Sequence, residues 1–239
     1  MKIISKIKIH PLSYIIALIF FLMGKFRQYI IFMIIILVHE LGHIMAGLLF
    51  KWNINQVLVL PFGCLTKFKE CINRPIKEEF IISIMGVIFQ LMFVYRLNTF
   101  YNNIIIVFNL LPIYPLDGYK ILNLIFNKIS NFKLSYLISI YISYIITVVI
   151  LFLIIVKKDF IGFIIFLPLL LQLNKEYQNK DNVIHKFYLE RYLYHFKFKK
   201  RKIIHRVTEM KKDYIHIIRN SNKYITEREF LRIMFDKYR

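Results

Sequence analysis

The sequence predicts an all-α polytopic membrane protein of about six transmembrane helices, with a re-entrant or β-like segment near the candidate site and a small cytoplasmic C-terminal region. Three observations predict it. Of the 239 residues 58% are hydrophobic and mean hydropathy is +0.53, more apolar than a soluble domain of this length. Apolar runs recur through the first 174 residues, approaching or reaching the ~20 residues that cross a bilayer. The net charge of +20 is uneven, with 18 Lys/Arg against 8 Asp/Glu in residues 175–239. A basic segment beside membrane spans fits cytoplasmic retention and contact with anionic lipid, and no motif for reading nucleic acid accompanies it.

Residues 1–11 are short and basic, with Lys2, Lys6 and Lys8. No cleaved signal is expected, because Lys25 and Arg27 end the next apolar run without a small-residue cleavage site. That run, 12–24, is a short first span, and 28–50 is a full-length second. Residues 51–77 are mixed. Within them Val57-Leu58-Val59-Leu60-Pro61-Phe62-Gly63 is too short to cross. Its β-branched residues, Pro61 and Gly63 suit a strand or a re-entrant loop, and a plain cytoplasmic loop fits the periodicity equally well. Residues 79–97 form a third span interrupted by Gly86 and Gln90, and 103–116 a fourth whose end is crowded by Asn109, Pro112, Pro115, Asp117 and Gly118. The fifth and sixth are 134–156 and 160–173. With six spans both termini share one side; that side carries 29 Lys/Arg and the other 5, which makes the termini cytoplasmic. The organisation expected is a transmembrane domain over 1–174, a basic linker over 175–201 and a short cytoplasmic region over 202–239. Cys64 and Cys71 read as ordinary loop or interface residues.

The second span carries Val38-His39-Glu40-Leu41-Gly42-His43 in an otherwise apolar run. Residues four apart share a helix face, so His39 and His43 can offer two imidazoles to one metal with Glu40 beside them. This is the HExxH zinc-hydrolase pattern, in which the glutamate activates water. Two histidines can also pack as hydrogen-bonded bundle residues, but a span that must dehydrate three polar side chains favours a functional reading. A catalytic zinc takes three protein ligands. Asp117, at the edge of an apolar span after two prolines that prevent a continuous helix, is the candidate third; the rival reading makes Asp117-Gly118 a simple turn. His10, His185, His195, His205 and His216 have no partner at metal spacing and read as surface or packing residues.

HELGH on one span with Asn109-Leu110-Leu111-Pro112-Ile113-Tyr114-Pro115-Leu116-Asp117-Gly118 on a later one resembles the site-2 protease family of intramembrane zinc metalloproteases. Lys8-Ile9-His10-Pro11, Leu60-Pro61-Phe62-Gly63, Asn73-Arg74-Pro75-Ile76-Lys77-Glu78-Glu79-Phe80 and Leu189-Glu190-Arg191-Tyr192 extend the likeness towards its sporulation branch. The resemblance implies one Zn²⁺ held by His39, His43 and Asp117, with Glu40 as the base. Asn109, Pro112 and Pro115 would hold an extended substrate, and the segment ending in Phe62 and Gly63 would pair with it as an added strand. It further implies a late sporulation sigma-factor precursor as substrate, the membrane around the forespore as location, a site open to the mother-cell cytoplasm, and inhibitory membrane partner proteins. Val87 after Gly86 and Cys64 after Gly63 depart from the usual proline and glycine. Residues 202–239 resemble a truncated cystathionine-β-synthase (CBS) type domain, short for a nucleotide site. Two rival classes remain at this stage: a membrane zinc protease with a distant glutamate ligand, and a non-catalytic zinc transporter or scaffold.

Overall fold

The computed structural model describes residues 7–9, 11–60, 63–69, 72–220 and 223–236. His10, Pro61, Phe62 and Cys71 lie outside them, and with Phe62 one expected substrate contact. The chain is mostly helical, but the all-α expectation is corrected by two small three-stranded sheets. Two compact units divide it: residues 1–70 with 80–109, and 71–79 with 110–239.

The first unit contains β1 (Ile7–Ile9), α1 (Pro11–Leu22), α2 (Phe26–Leu49), β2 (Ile54–Leu60), β3 (Gly63–Phe68), most of α3 (Ile76–Phe93) and all but the last residue of α4 (Thr99–Leu110). In α2 the buried residues Ile36, His39, Glu40, His43 and Gly47 recur at helical spacing and form one face. Leu37, Leu41, Met45 and Leu48 are exposed on the other side, as lipid contact requires. The β-branched stretch beginning at Val57 is strand, the middle one of its sheet: β1 pairs with β2 in parallel (Ile7↔Val57) and β3 antiparallel (Val57↔Thr66). Phe68 docks β3 onto α2. A Cβ on Gly47 would stand 2.5 Å from the Phe68 ring, so only glycine leaves room for it.

The second unit contains α5 (Asp117–Ile129), α6 (Phe132–Val156), α7 (Phe160–Gln178), α8 (Lys180–Leu193), β4 (Lys200–Ile204), β5 (Tyr214–Asn220), β6 (Lys223–Thr226) and α9 (Glu227–Asp236). On α6 the buried Ser135, Ser139, Ser143 and Thr147 line one face, letting α5 and α7 approach closely. Two of these hydroxyls bond within the helix: Ser139 donates to the Ser135 carbonyl at 2.8 Å and Thr147 to that of Ser143 at 2.7 Å. The expected linker over 175–201 is instead the end of α7 followed by α8. Ile184, Phe187, Tyr188 and Arg191 recur every three or four residues there and build a buried face that the basic composition conceals. Phe187 stacks on Phe132 at 4.0 Å in a core that also takes in Ile204, Met210, Ile218 and Leu231 from the terminal sheet and α9.

Each of the six expected spans falls on a helix. Among the described residues two helices, Phe26–Leu49 and Phe132–Val156, are long and apolar enough to cross a membrane alone. The others fall short for visible reasons. α1 and α4 have 12 residues each, about 18 Å at ~1.5 Å per residue, α3 opens with Glu78 and Glu79, and α7 contains Pro168 and Lys175.

Candidate metal centre

Within the first unit α2 delivers both imidazoles to one point. The Nε2 atoms of His39 and His43 are 3.1 Å apart, and both side chains are buried. Their other nitrogens are engaged from α3. His43 Nδ1 lies 2.7 Å from the Ile82 carbonyl oxygen, which can only accept, so Nδ1 carries the proton. His39 Nδ1 lies 3.0 Å from Gln90 Oε1, four residues back on α2 and eight residues on along α3. Both Nε2 atoms are thereby left as electron-pair donors, and two lone pairs facing each other at this distance call for a shared cation.

The space for that pair is made by glycines. A Cβ on Gly86 would stand 2.5 Å from His43 Nε2 and 2.7 Å from His39 Nε2, and one on Gly42 would stand 2.4 Å from the Met85 carbonyl oxygen. Gly42 lets α2 and α3 touch backbone to backbone, and Gly86 leaves room for the rings. The donor set and its cradle therefore fit a divalent metal such as zinc, which accepts imidazole nitrogen and carboxylate oxygen.

Glu40 is buried on the same face, and its Oε1 accepts the Thr66 backbone N–H of β3 at 2.6 Å. The carboxylate is thus held at a fixed angle beside the histidines. Because Thr66 directs its N–H to Glu40, that N–H points away from β2, across the outer edge of β3. β2 is flanked by β1 and β3, so the expectation that residues 57–63 take an added strand is corrected: among the described residues the outer strand on this side is β3.

In the second unit the expected break is present. α4 ends at Leu110, and residues 111–116, with two prolines that lack N–H donors, turn the chain before Asp117 opens α5. Tyr114 N–H donates to Ser143 Oγ at 2.9 Å, fixing this turn to α6. Asp117 is buried and its Oδ1 accepts from Lys120 Nζ at 2.8 Å. A Cβ on Gly118 would stand 2.1 Å from the Leu110 carbonyl oxygen, so α5 starts against the end of α4 only because this residue is glycine. Asn109, Pro112 and Pro115 are half-buried around the turn, and Gly63 opens β3.

The sequence reading missed Thr66, Ile82 and Asn102 and saw Gln90 only as an interruption. The usable signal is Gln90, the lone amide in its apolar run.

Residues 28–98 match the model of peptidase family M50. Stage IV sporulation protein FB of Bacillus subtilis (strain 168) is 33% identical over 212 residues, covering 80% of this chain and 73% of the relative. In fold the chain is similar to the site-2 protease from Methanocaldococcus jannaschii, with a TM-score of 0.56 and 19% identity over 71% of this chain and 89% of that one. A buried HExxH helix in an apolar chain, matched by a family model that contains it and by a relative of this identity, has one reading: the chain is a membrane protein of peptidase family M50, the site-2 protease family of intramembrane metalloproteases.

Proposed function

We propose that the chain is a zinc-dependent intramembrane endopeptidase in which His39, His43 and Asp117 hold one Zn²⁺ and Glu40 is the general base. The observation that carries this is the pair of inward-facing Nε2 atoms with a backbone-anchored carboxylate one residue from the first of them. Zinc held by these residues would supply Lewis acidity to a water and to the scissile carbonyl. Glu40 takes the proton of the attacking water and passes it to the leaving amine. The Thr66 N–H keeps one carboxylate oxygen in place while the protonation state changes. Lys120 Nζ forms a salt bridge with Asp117 Oδ1 at 2.8 Å.

The substrate must be extended, because a carbonyl committed to a helix is not open to attack. The outer edge of β3, beginning at Gly63, would take the substrate as an added strand, and Asn109, Pro112 and Pro115 would be further substrate contacts. Proline placed in the substrate next to its scissile bond should then slow cleavage without changing the zinc content of the enzyme. Full-rate cleavage of such substrates would remove this role.

By likeness to the Bacillus protein the substrate is a late sporulation sigma-factor precursor, the location the membrane around the forespore, and the regulators are membrane partner proteins. The topology proposed is six spans with cytoplasmic termini, supported by the Lys/Arg asymmetry. The sheet of β4, β5 and β6 with α9 would be the regulatory element of CBS type. Co-expression of a candidate precursor with wild-type protein and with Glu40→Gln, assaying bound zinc in both, tests the core of the reading. Cleavage lost with zinc retained assigns the base, and unchanged cleavage removes the mechanism.

A further inference from the structure

Behind His39 lies a chain of amides in the first unit whose orientation is determined step by step by backbone carbonyls. Asn102 is fully buried. Its Nδ2 donates to the carbonyl oxygens of Val94 and Asn98, both at 2.8 Å, which can only accept. The Asn102 amide therefore has one possible orientation, with Oδ1 turned the other way. Gln90 is also fully buried, and its Nε2 donates to Asn102 O at 3.1 Å and Asn102 Oδ1 at 3.2 Å. Two acceptors there fix the Gln90 amide in turn and leave Oε1 facing His39 Nδ1. An acceptor at Nδ1 requires the proton on Nδ1 and leaves Nε2 without one.

We infer that Gln90 and Asn102 are positioning residues for His39, holding its imidazole in the one tautomer and ring orientation that can bind metal. The inference rests on the zinc reading above. Two α3 groups thus act on the two histidines by different means. A backbone carbonyl, Ile82, serves His43 and no substitution removes it, whereas a side chain serves His39 and depends on α4 for its own orientation. Asn102, in the first turn of α4, closes that chain onto the loop joining α3 to α4.

The test uses the full-length protein in detergent. Imidazole ¹⁵N NMR of metal-free wild type should report His39 as the Nδ1–H tautomer; an Nε2–H His39 overturns the inference. Zinc affinity, measured by chelator competition, should fall about 10–100-fold in Gln90→Leu, which fills the space without an acceptor. In Gln90→Glu, which keeps the acceptor facing Nδ1 but loses the donor to Asn102, affinity should exceed that of Gln90→Leu. A residue that merely fills space gives the opposite order, since a carboxylate facing the Asn102 oxygens is worse placed than leucine; that order, or equal affinity in Gln90→Leu and wild type, overturns the inference. If Gln90→Leu does not fold, the wild-type tautomer carries the decision. A wild-type chain without zinc affinity overturns the proposed function instead, and the tautomer still decides this inference.

Discussion

His39 and His216 are both buried histidines hydrogen-bonded to a side chain, yet their second ring nitrogens are engaged differently. His216 spends both ring nitrogens on the protein: Nδ1 lies 2.9 Å from Glu227 Oε2, and Nε2 accepts the Lys211 backbone N–H at 3.0 Å. Around it Arg191 donates to Asn73 Oδ1 and Glu227 Oε1 and to the carbonyls of Tyr214 and Lys211, at 2.7–2.9 Å. His39 and His43 instead anchor Nδ1 and turn Nε2 towards each other. Burial and polarity are the same in the two clusters. What distinguishes a structural cluster from a reactive one is where the second lone pair points.

The largest effect expected from that contrast is at Glu40. Glu40→Gln should reduce cleavage by ~10²–10⁴-fold, the range for loss of a general base, while zinc content is unchanged. Next is Gly86→Ala, whose methyl would stand within 2.7 Å of both Nε2 atoms. Its zinc affinity should fall further than in Gln90→Leu, with the helical circular dichroism signal retained. In the other cluster, Arg191→Met keeps the volume and leaves Glu227 and Asn73 without their partner. Breaking such a buried pair costs ~3–5 kcal/mol, seen as early melting in detergent. If Arg191→Met melts like wild type, that network does not hold the terminal sheet in place and the contrast with the metal centre weakens.

Much of the candidate site was legible because its signals are local. HELGH is a spacing on one helix, and the double-proline turn before Asp117 is a backbone rule. What escaped the sequence is carried by partners distant in the chain. Ile7 pairs with Val57, Thr66 reaches Glu40, and Asn102 orients Gln90; no periodicity reports such contacts. The supposed linker was missed for a different reason. Charged residues are spread through α8 between its apolar ones, so a reading by composition sees a basic linker where a reading by phase sees a helix with one buried face.

The smallest expected effect concerns pH and separates the two kinds of histidine most cleanly. Burial pushes the His216 pKa below its ordinary 6.5, against the pull of Glu227 and with Arg191 and Lys202 adding to the depression. Glu227 is pushed up by burial, but the hydrogen bonds from His216 and Arg191 outweigh this and hold it below 4.5. A depressed histidine pKa means the unfolded chain binds the proton more readily, so this contribution is complete above about pH 6.5 and is lost as pH falls through the folded-state value. The geometry gives the same sign, because a proton on Nε2 would face the Lys211 N–H. Stability of the terminal sheet, followed by hydrogen exchange across β5, should decline from about pH 6.5 downward in wild type, before Glu227 begins to titrate. His216→Asn should be less stable at neutral pH and flatter over that window. A wild-type profile flat between pH 6.5 and 5 would mean that His216 gains its proton without loss, and its two hydrogen bonds would then not be what holds β5 to Lys211 and Glu227.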